Sequence, residues 1–131
     1  MNGEELTTQA NDESLIDFSF LYEISYGDAS CFVEIIDIFL TSVPDAVRKL
    51  HDLIHDTDDW EETSRQAHFI KSSVSVVKVR DMYDTLGLIE KLAKEKRDKD
   101  EMVRLFGTVE ATLNESYPVL EAEKVKNVAL M

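Results

Sequence analysis

The sequence predicts an all-α protein, an antiparallel up-down four-helix bundle with a short additional N-terminal helix. Two observations lead to this fold class. Apolar residues recur at three- and four-residue spacing along almost the whole chain, which is the period of a helix with one buried face. Only four glycines and two prolines interrupt the 131 residues, so long helices joined by short turns are expected, and short turns make neighbouring helices antiparallel.

The first two helices are separated by a stop signal. The first is a short amphipathic segment that ends near "SYGD". Its apolar face consists of Leu15, Phe18, Leu21 and Tyr22. Gly27 followed by Asp28 predicts a helix end and then a new N-cap. The second helix carries one long apolar stripe, in which Pro44 predicts a kink. The stripe consists of Phe32, Ile35, Ile36, Phe39, Leu40, Val43, Val47, Leu50 and Ile54.

Three further helices are predicted, two from an N-cap signal and one from its apolar stripe. Asp58 with Glu61 resembles a capping box and opens the third helix. The fourth is predicted from about residue 80 to residue 96. Asp98 opens the fifth, which Pro118 bends or ends. The inward residues are Met82, Leu86, Ile89 and Ala93 in the fourth helix and Met102, Phe106, Val109 and Leu113 in the fifth.

A chain of 131 residues fits one domain with a real hydrophobic core. We expect a flexible polar N-terminus over residues 1–13, a helical bundle over residues 14–124, and a frayed tail over residues 125–131.

Charge and composition exclude several functions. The 27 acidic and 14 basic residues give a net charge of −13, which disfavours nucleic acid and anionic membrane surfaces as partners. The most apolar run, "CFVEIIDIFL", is broken by Glu34 and Asp37 and is too short for a membrane span. A single Cys31 cannot form an internal disulfide, and the N-terminus lacks the pattern of a secretory signal. We therefore expect a monomeric cytoplasmic protein that acts on other proteins.

One stretch departs from the acidic composition and contains a histidine. The span from Thr63 to Arg80 has no acidic residue and four basic ones. The apolar stripe of this helix consists of Ala67, Ile70, Val74 and Val77. On a helical wheel His68 falls about 130° from the centre of that stripe, so it should be exposed to solvent. Lys71 and Ser72, three and four residues on, supply a surface cation and a hydroxyl beside the imidazole.

The residues "AHFIKSS", then Val77 and Val79, then a helix ending in "IEKLAKEKRD" resemble the histidine-containing phosphotransfer domain. The similarity spans roughly residues 18–123, including the proline-containing second helix. The family usually has glycine at the position of Ser72, and often at those of Ser75 and Lys78.

The resemblance implies a phosphocarrier in which His68 accepts a phosphoryl group from a receiver-domain aspartyl phosphate and passes it to another receiver. Partners would be response-regulator receivers or a hybrid sensor kinase, with Mg²⁺ bound by the receiver and no cofactor in this chain. No glycine-rich nucleotide loop is present in these residues, so ATP is not the expected donor. The candidate catalytic residues are His68, as phosphoacceptor, with Lys71 and Ser72. The candidate partner-binding residues are Arg65, Phe69, Ser75, Val76 and Lys78.

Other interpretations stay open. The chain is alternatively a non-catalytic interaction module in which His68 is incidental, and Phe69 and Val76 are either docking residues or covered by another helix. His51 and His55 have a spacing that can hold zinc or copper, but no third ligand is fixed by spacing, so a solvated helix flank is the simpler reading. Cys31 has no base beside it and is expected to be a small packing residue.

Overall fold

The computed structural model describes residues 15–131, and the regular elements in that range are α-helices. The all-α prediction is therefore confirmed. The predicted N-terminal tail, residues 1–13, lies outside the described residues. In chain order the helices are α1 (Ser19–Ile24), α2 (Ala29–Asp56), α3 (Trp60–Val77), α4 (Met82–Glu95) and α5 (Lys99–Val128).

The four long helices surround one hydrophobic core. Helix α2 packs mainly against α3 and α5, and α4 also packs mainly against α3 and α5. The short α1 packs against α3. Among residues 15–131, none of the helices combines the length and apolar composition needed to cross a membrane. The largest fully buried side chains include Phe32, Leu50, Ile70, Leu86 and Phe106.

Side-chain caps set the starts of three helices. The carboxylate of Asp28 accepts hydrogen bonds from the backbone N–H groups of Ser30 and Cys31, as the N-cap prediction requires. Asp98 caps α5, also as predicted. The cap of α3 is Asp59, and not Asp58, since the Asp59 carboxylate accepts from the backbone N–H of Glu62 at 3.1 Å.

Helix α5 is longer than the sequence indicated. It contains Pro118 and continues to Val128, past the predicted start of the frayed tail at residue 125. Contacts with α1 account for the extra length, since the Tyr22 hydroxyl donates to Glu123 Oε2 at 2.7 Å and Asn127 Nδ2 donates to that hydroxyl at 2.9 Å. Asn127 is buried in consequence.

The end of α3 is held by the segment that precedes α1. Lys78 has a left-handed backbone (φ 55°), a conformation that usually selects glycine. Asp17 N–H donates to the carbonyl of Lys78 at 3.2 Å, and Arg80 N–H donates to the carbonyl of Leu15 at 2.8 Å. The Lys78 amine also lies 4.8 Å from the centre of the Phe20 ring. These contacts offset the backbone strain of a non-glycine residue at this position.

The rotation of α3 about its axis can be tested with two adjacent residues. Ile70 is fully buried, whereas Phe69 is 43% exposed. We expect Ile70→Ala to lower the free energy of unfolding by about 2–5 kcal/mol, because it leaves a cavity. Phe69→Ala should cost less than about 1 kcal/mol. Chemical denaturation of both variants checks this, and equal losses would contradict the orientation that exposes His68.

Candidate functional site

His68 projects from α3 towards α4, away from the core residues Ala67 and Ile70. Its side chain is 60% exposed, so the exposure predicted from the helical wheel is confirmed. The face of α3 that carries His68 also carries Lys71, one turn further on. These two side chains meet a single residue of the neighbouring helix.

That residue is Glu90 of α4, whose carboxylate is buried at the α3–α4 contact with 7% of the residue exposed. Oε1 of Glu90 accepts from the Lys71 amine at 2.8 Å. Oε2 lies 3.1 Å from Nδ1 of His68 and 3.2 Å from the amine of Lys94. One carboxylate therefore joins the histidine to two cations.

The contact with Glu90 fixes the tautomer of a neutral His68. An ionised carboxylate only accepts hydrogen bonds, so Nδ1 must carry the proton that it shares with Oε2. The other ring nitrogen, Nε2, then keeps its lone pair. An exposed imidazole with a free Nε2 lone pair is a competent nucleophile.

The charges of the group support this assignment. Burial raises the pKa of Glu90, but hydrogen bonds from Lys71 and Lys94 outweigh that effect, and the pKa lies below its usual value. The hydrogen bond to Glu90 raises the pKa of Lys71. At neutral pH the carboxylate is ionised and the amine is protonated.

The side chain of Lys71 is less exposed than expected. The sequence predicted a surface cation, but only 19% of the side chain is exposed, because the stem packs along α4 and the amine pairs with Glu90. Ser72 is exposed on the same turn as Lys71. The positive charge of this acid-free stretch is also partly neutralised at Arg65, which forms an ion pair with Glu62 on the preceding turn of α3.

The predicted docking residues fall into different environments. Phe69 is exposed, whereas Val76 is half-buried and packs against the core. The Ser75 hydroxyl donates to the carbonyl of Ser72 at 2.6 Å. Lys78 lies at the end of α3 beside Phe20. Phe69, next to His68 in the sequence, is therefore an accessible apolar side chain. Val76 is partly covered by its packing against the core.

Glu90 is the residue that the sequence analysis missed. A signal for it was present, because Glu90 lies among the inward residues Leu86, Ile89 and Ala93 of the fourth helix. An acid inside an apolar stripe indicates a buried charge that needs a partner. The sequence could not say which residue of α3 supplies that partner.

The other histidines and Cys31 lie apart from this group. His51 and His55 stack with ring centres 4.2 Å apart, and Nδ1 of His55 lies 2.8 Å from the carbonyl oxygen of His51. Within residues 15–131, they are not joined by a third potential metal ligand. Cys31 is half-buried.

Comparison with known proteins gives one family match. Searches of curated proteins and of solved structures found no match. A family model described as Hpt domain matches residues 34–122, which include His68 and Glu90. Because this match covers more than half of the 131 residues, the chain belongs to the Hpt domain family, whose members take part in histidine phosphotransfer.

Proposed function

We propose that this protein is a phosphorelay intermediate in which His68 accepts a phosphoryl group from a receiver-domain aspartyl phosphate and passes it to the aspartate of another receiver. The observation that carries the proposal is the contact between Nδ1 of His68 and Glu90, which leaves the Nε2 lone pair free on an exposed ring. A binding-only module has no need for this arrangement, so transfer is the better account of it.

In the proposed step, the Nε2 lone pair attacks the phosphorus atom of the aspartyl phosphate. The bond from phosphorus to the acyl oxygen breaks, the receiver's carboxylate leaves with the electron pair, and a bond between Nε2 and phosphorus forms. The proton on Nδ1 stays in place, so the ring acquires positive charge as the new bond forms. The Glu90 carboxylate, 3.1 Å from Nδ1, stabilises that charge. Transfer to the second receiver reverses these bond changes.

The phosphoryl group adds about 1.5 to 2 negative charges, by analogy with other phosphorylated residues. Charges farther than about 8 Å from the phosphoryl group are largely screened at physiological salt, and most acidic residues of this chain therefore repel it little. A cation about 4 Å away contributes on the order of 1–4 kcal/mol. Lys71 is the cation of α3 closest in sequence after His68, and Ser72 adds an exposed hydroxyl. We assign both to the phosphoryl oxygens.

The partner surface surrounds His68. Phe69 offers exposed apolar area, and Arg65, Ser75 and Lys78 offer polar contacts along α3. A receiver domain that docks here would bring its own Mg²⁺ and most of the catalytic groups. The donor is then a response-regulator receiver or the receiver of a hybrid sensor kinase, and this chain serves as carrier.

The remaining parts of the proposal concern architecture and setting. We infer that the four long helices run antiparallel, because consecutive helices pack together and their connections are short. We also infer a monomer that acts in the cytoplasm, where the acidic composition favours solubility.

The phosphorylated residue can be identified directly. After incubation with a receiver domain charged by acetyl phosphate, mass analysis under non-acidic conditions should find one acid-labile, base-stable phosphoryl group on the parent protein. His68→Gln should carry none, because the nucleophile is gone. His51→Gln and His55→Gln are matched controls that should keep the label. A label on His68→Gln, or one mapped to His51 or His55, would refute the proposal.

The role of Glu90 predicts two effects of Glu90→Gln, which keeps the size of the side chain and removes its charge. Phosphorylation of His68 should slow about ten- to a hundredfold, since a charge-assisted hydrogen bond to the developing imidazolium is lost. The free energy of unfolding at pH 7 should fall by about 1–3 kcal/mol.

The stability difference between parent and Glu90→Gln should depend on pH. The folded pKa of Glu90 is lowered, so its contribution is present above the unfolded value of about 4.3 and is lost as pH falls further. The folded pKa of Lys71 is raised, so the contribution is also lost above about pH 10.4. Glu34→Gln, at an exposed acid of α2, is the control. A difference that stays constant from pH 7 to pH 3 would count against the ion pair.

Docking through Phe69 predicts weaker receiver binding on its removal. We expect Phe69→Ala to raise the dissociation constant for a receiver domain at least about fivefold, since exposed aromatic residues often dominate an interface. Ile38→Ala removes an exposed apolar side chain from α2 and should leave the affinity unchanged. Calorimetric titration measures both, and identical affinities would move the docking surface to the side of His68 that carries Ser64, Ser72 and Ser75.

A further inference from the structure

Three residues of α4 lie along Lys71, and only one of them carries a charge. Oε1 of Glu90 accepts from the amine at 2.8 Å. The centre of the Tyr83 ring is 5.2 Å from the same amine. A Cβ placed on Gly87 would stand 3.8 Å from Cδ of Lys71, so the lysine stem runs over this glycine. Because residues 83, 87 and 90 are spaced by four and three, they share one face of α4.

Each of the three positions acts on a different part of the lysine. Glu90 holds the charge through a short hydrogen bond, and Gly87 lets the stem lie against the helix. The π face of Tyr83 is negative and attracts an ammonium group anywhere over it within about 6 Å, whereas a hydrogen bond needs a narrow range of distance and angle. The hydrogen bond to Glu90 therefore fixes the amine, whereas the attraction to Tyr83 tolerates its displacement.

The proposed assignment of Lys71 to the phosphoryl oxygens requires that displacement. In the unphosphorylated protein the Lys71 amine is committed to Glu90. When a phosphoryl group is present on Nε2, the amine must turn from the carboxylate towards the phosphoryl oxygens. Lys94 and the Nδ1 proton of His68 remain on Oε2 of Glu90, so the buried carboxylate keeps partners after the amine has moved.

We propose that Tyr83 is a positioning residue for phosphotransfer, whose ring holds the Lys71 amine next to His68 while the amine exchanges Glu90 for the phosphoryl group. The inference rests on the proposed function and adds a residue to it. Tyr83 is 54% exposed and lies outside the buried core, so packing does not explain its place over the amine. Loss of the ring leaves the amine free to sample positions that contact neither group.

Phosphoramidate is a suitable probe, because a small donor needs no docking surface. Its P–N bond breaks as the bond from phosphorus to Nε2 forms, and ammonia leaves. We expect Tyr83→Ala to slow the formation of phosphohistidine about three- to tenfold. Tyr83→Phe keeps the ring and should react within about twofold of the parent. Leu88→Ala, at another exposed apolar residue of α4, is the matched control and should react like the parent.

A second background separates an effect through Lys71 from a general one. In Lys71→Ala, the further change Tyr83→Ala should leave the rate unaltered, because the ring has no amine to hold. If Tyr83→Ala slows both backgrounds equally, or reacts like Leu88→Ala, the inference is wrong. If Tyr83→Phe is as slow as Tyr83→Ala, the hydroxyl acts and the ring assignment is wrong.

The two proposals fail in different ways. A parent protein that takes no label at His68 removes the proposed function, and the role of Tyr83 falls with it. A parent that is labelled at His68 while Tyr83→Ala keeps the full rate leaves the proposed function standing and removes only the role of Tyr83.

Discussion

The buried carboxylate of Glu90 is the interaction on which the site depends. It contacts His68, Lys71 and Lys94 at 2.8–3.2 Å, and so it joins α3 to α4 at the level of the histidine. A buried charge is tolerated only where partners satisfy it, which restricts how α4 can slide or rotate against α3. Hydrogen bonds from Lys71 and Lys94 keep Glu90 ionised, and the ionised carboxylate sets the tautomer of His68. Structural and chemical demands therefore meet in one side chain.

The charge around His68 is more balanced than the sequence suggests. The span from Thr63 to Arg80 contains no acid, but the fold supplies Glu90 to Lys71 and the preceding turn supplies Glu62 to Arg65. The site is thus close to local neutrality. In the proposed transfer only the Lys71 amine changes partners, whereas Lys94 stays on Glu90. A carrier of the proposed kind benefits from this balance, because a phosphoryl group that is held too tightly would not be passed on.

The end of α3, the helix that carries His68, is held by the residues that precede α1. A non-glycine residue at a left-handed position costs free energy, and Lys78 occupies one at the end of α3. The segment around Ile16 pairs with Val79, and Phe20 lies under the lysine amine. These contacts hold α3 in place without any glycine in the turn.

The sequence by itself determined the helices, the caps at Asp28 and Asp98, the buried stripe of α3 and the exposure of His68. Each of these follows from periodicity or from groups a few residues apart, which act within one helix. Only the tertiary structure decided that Glu90 is the partner of His68, that Lys71 is largely buried, that Val76 packs inward and that α5 extends to Val128. Those features depend on which faces of two helices meet, and that is set by packing between residues distant in the chain. Spacing within a helix carries no information on the register between helices, and the chemistry of this site depends on that register.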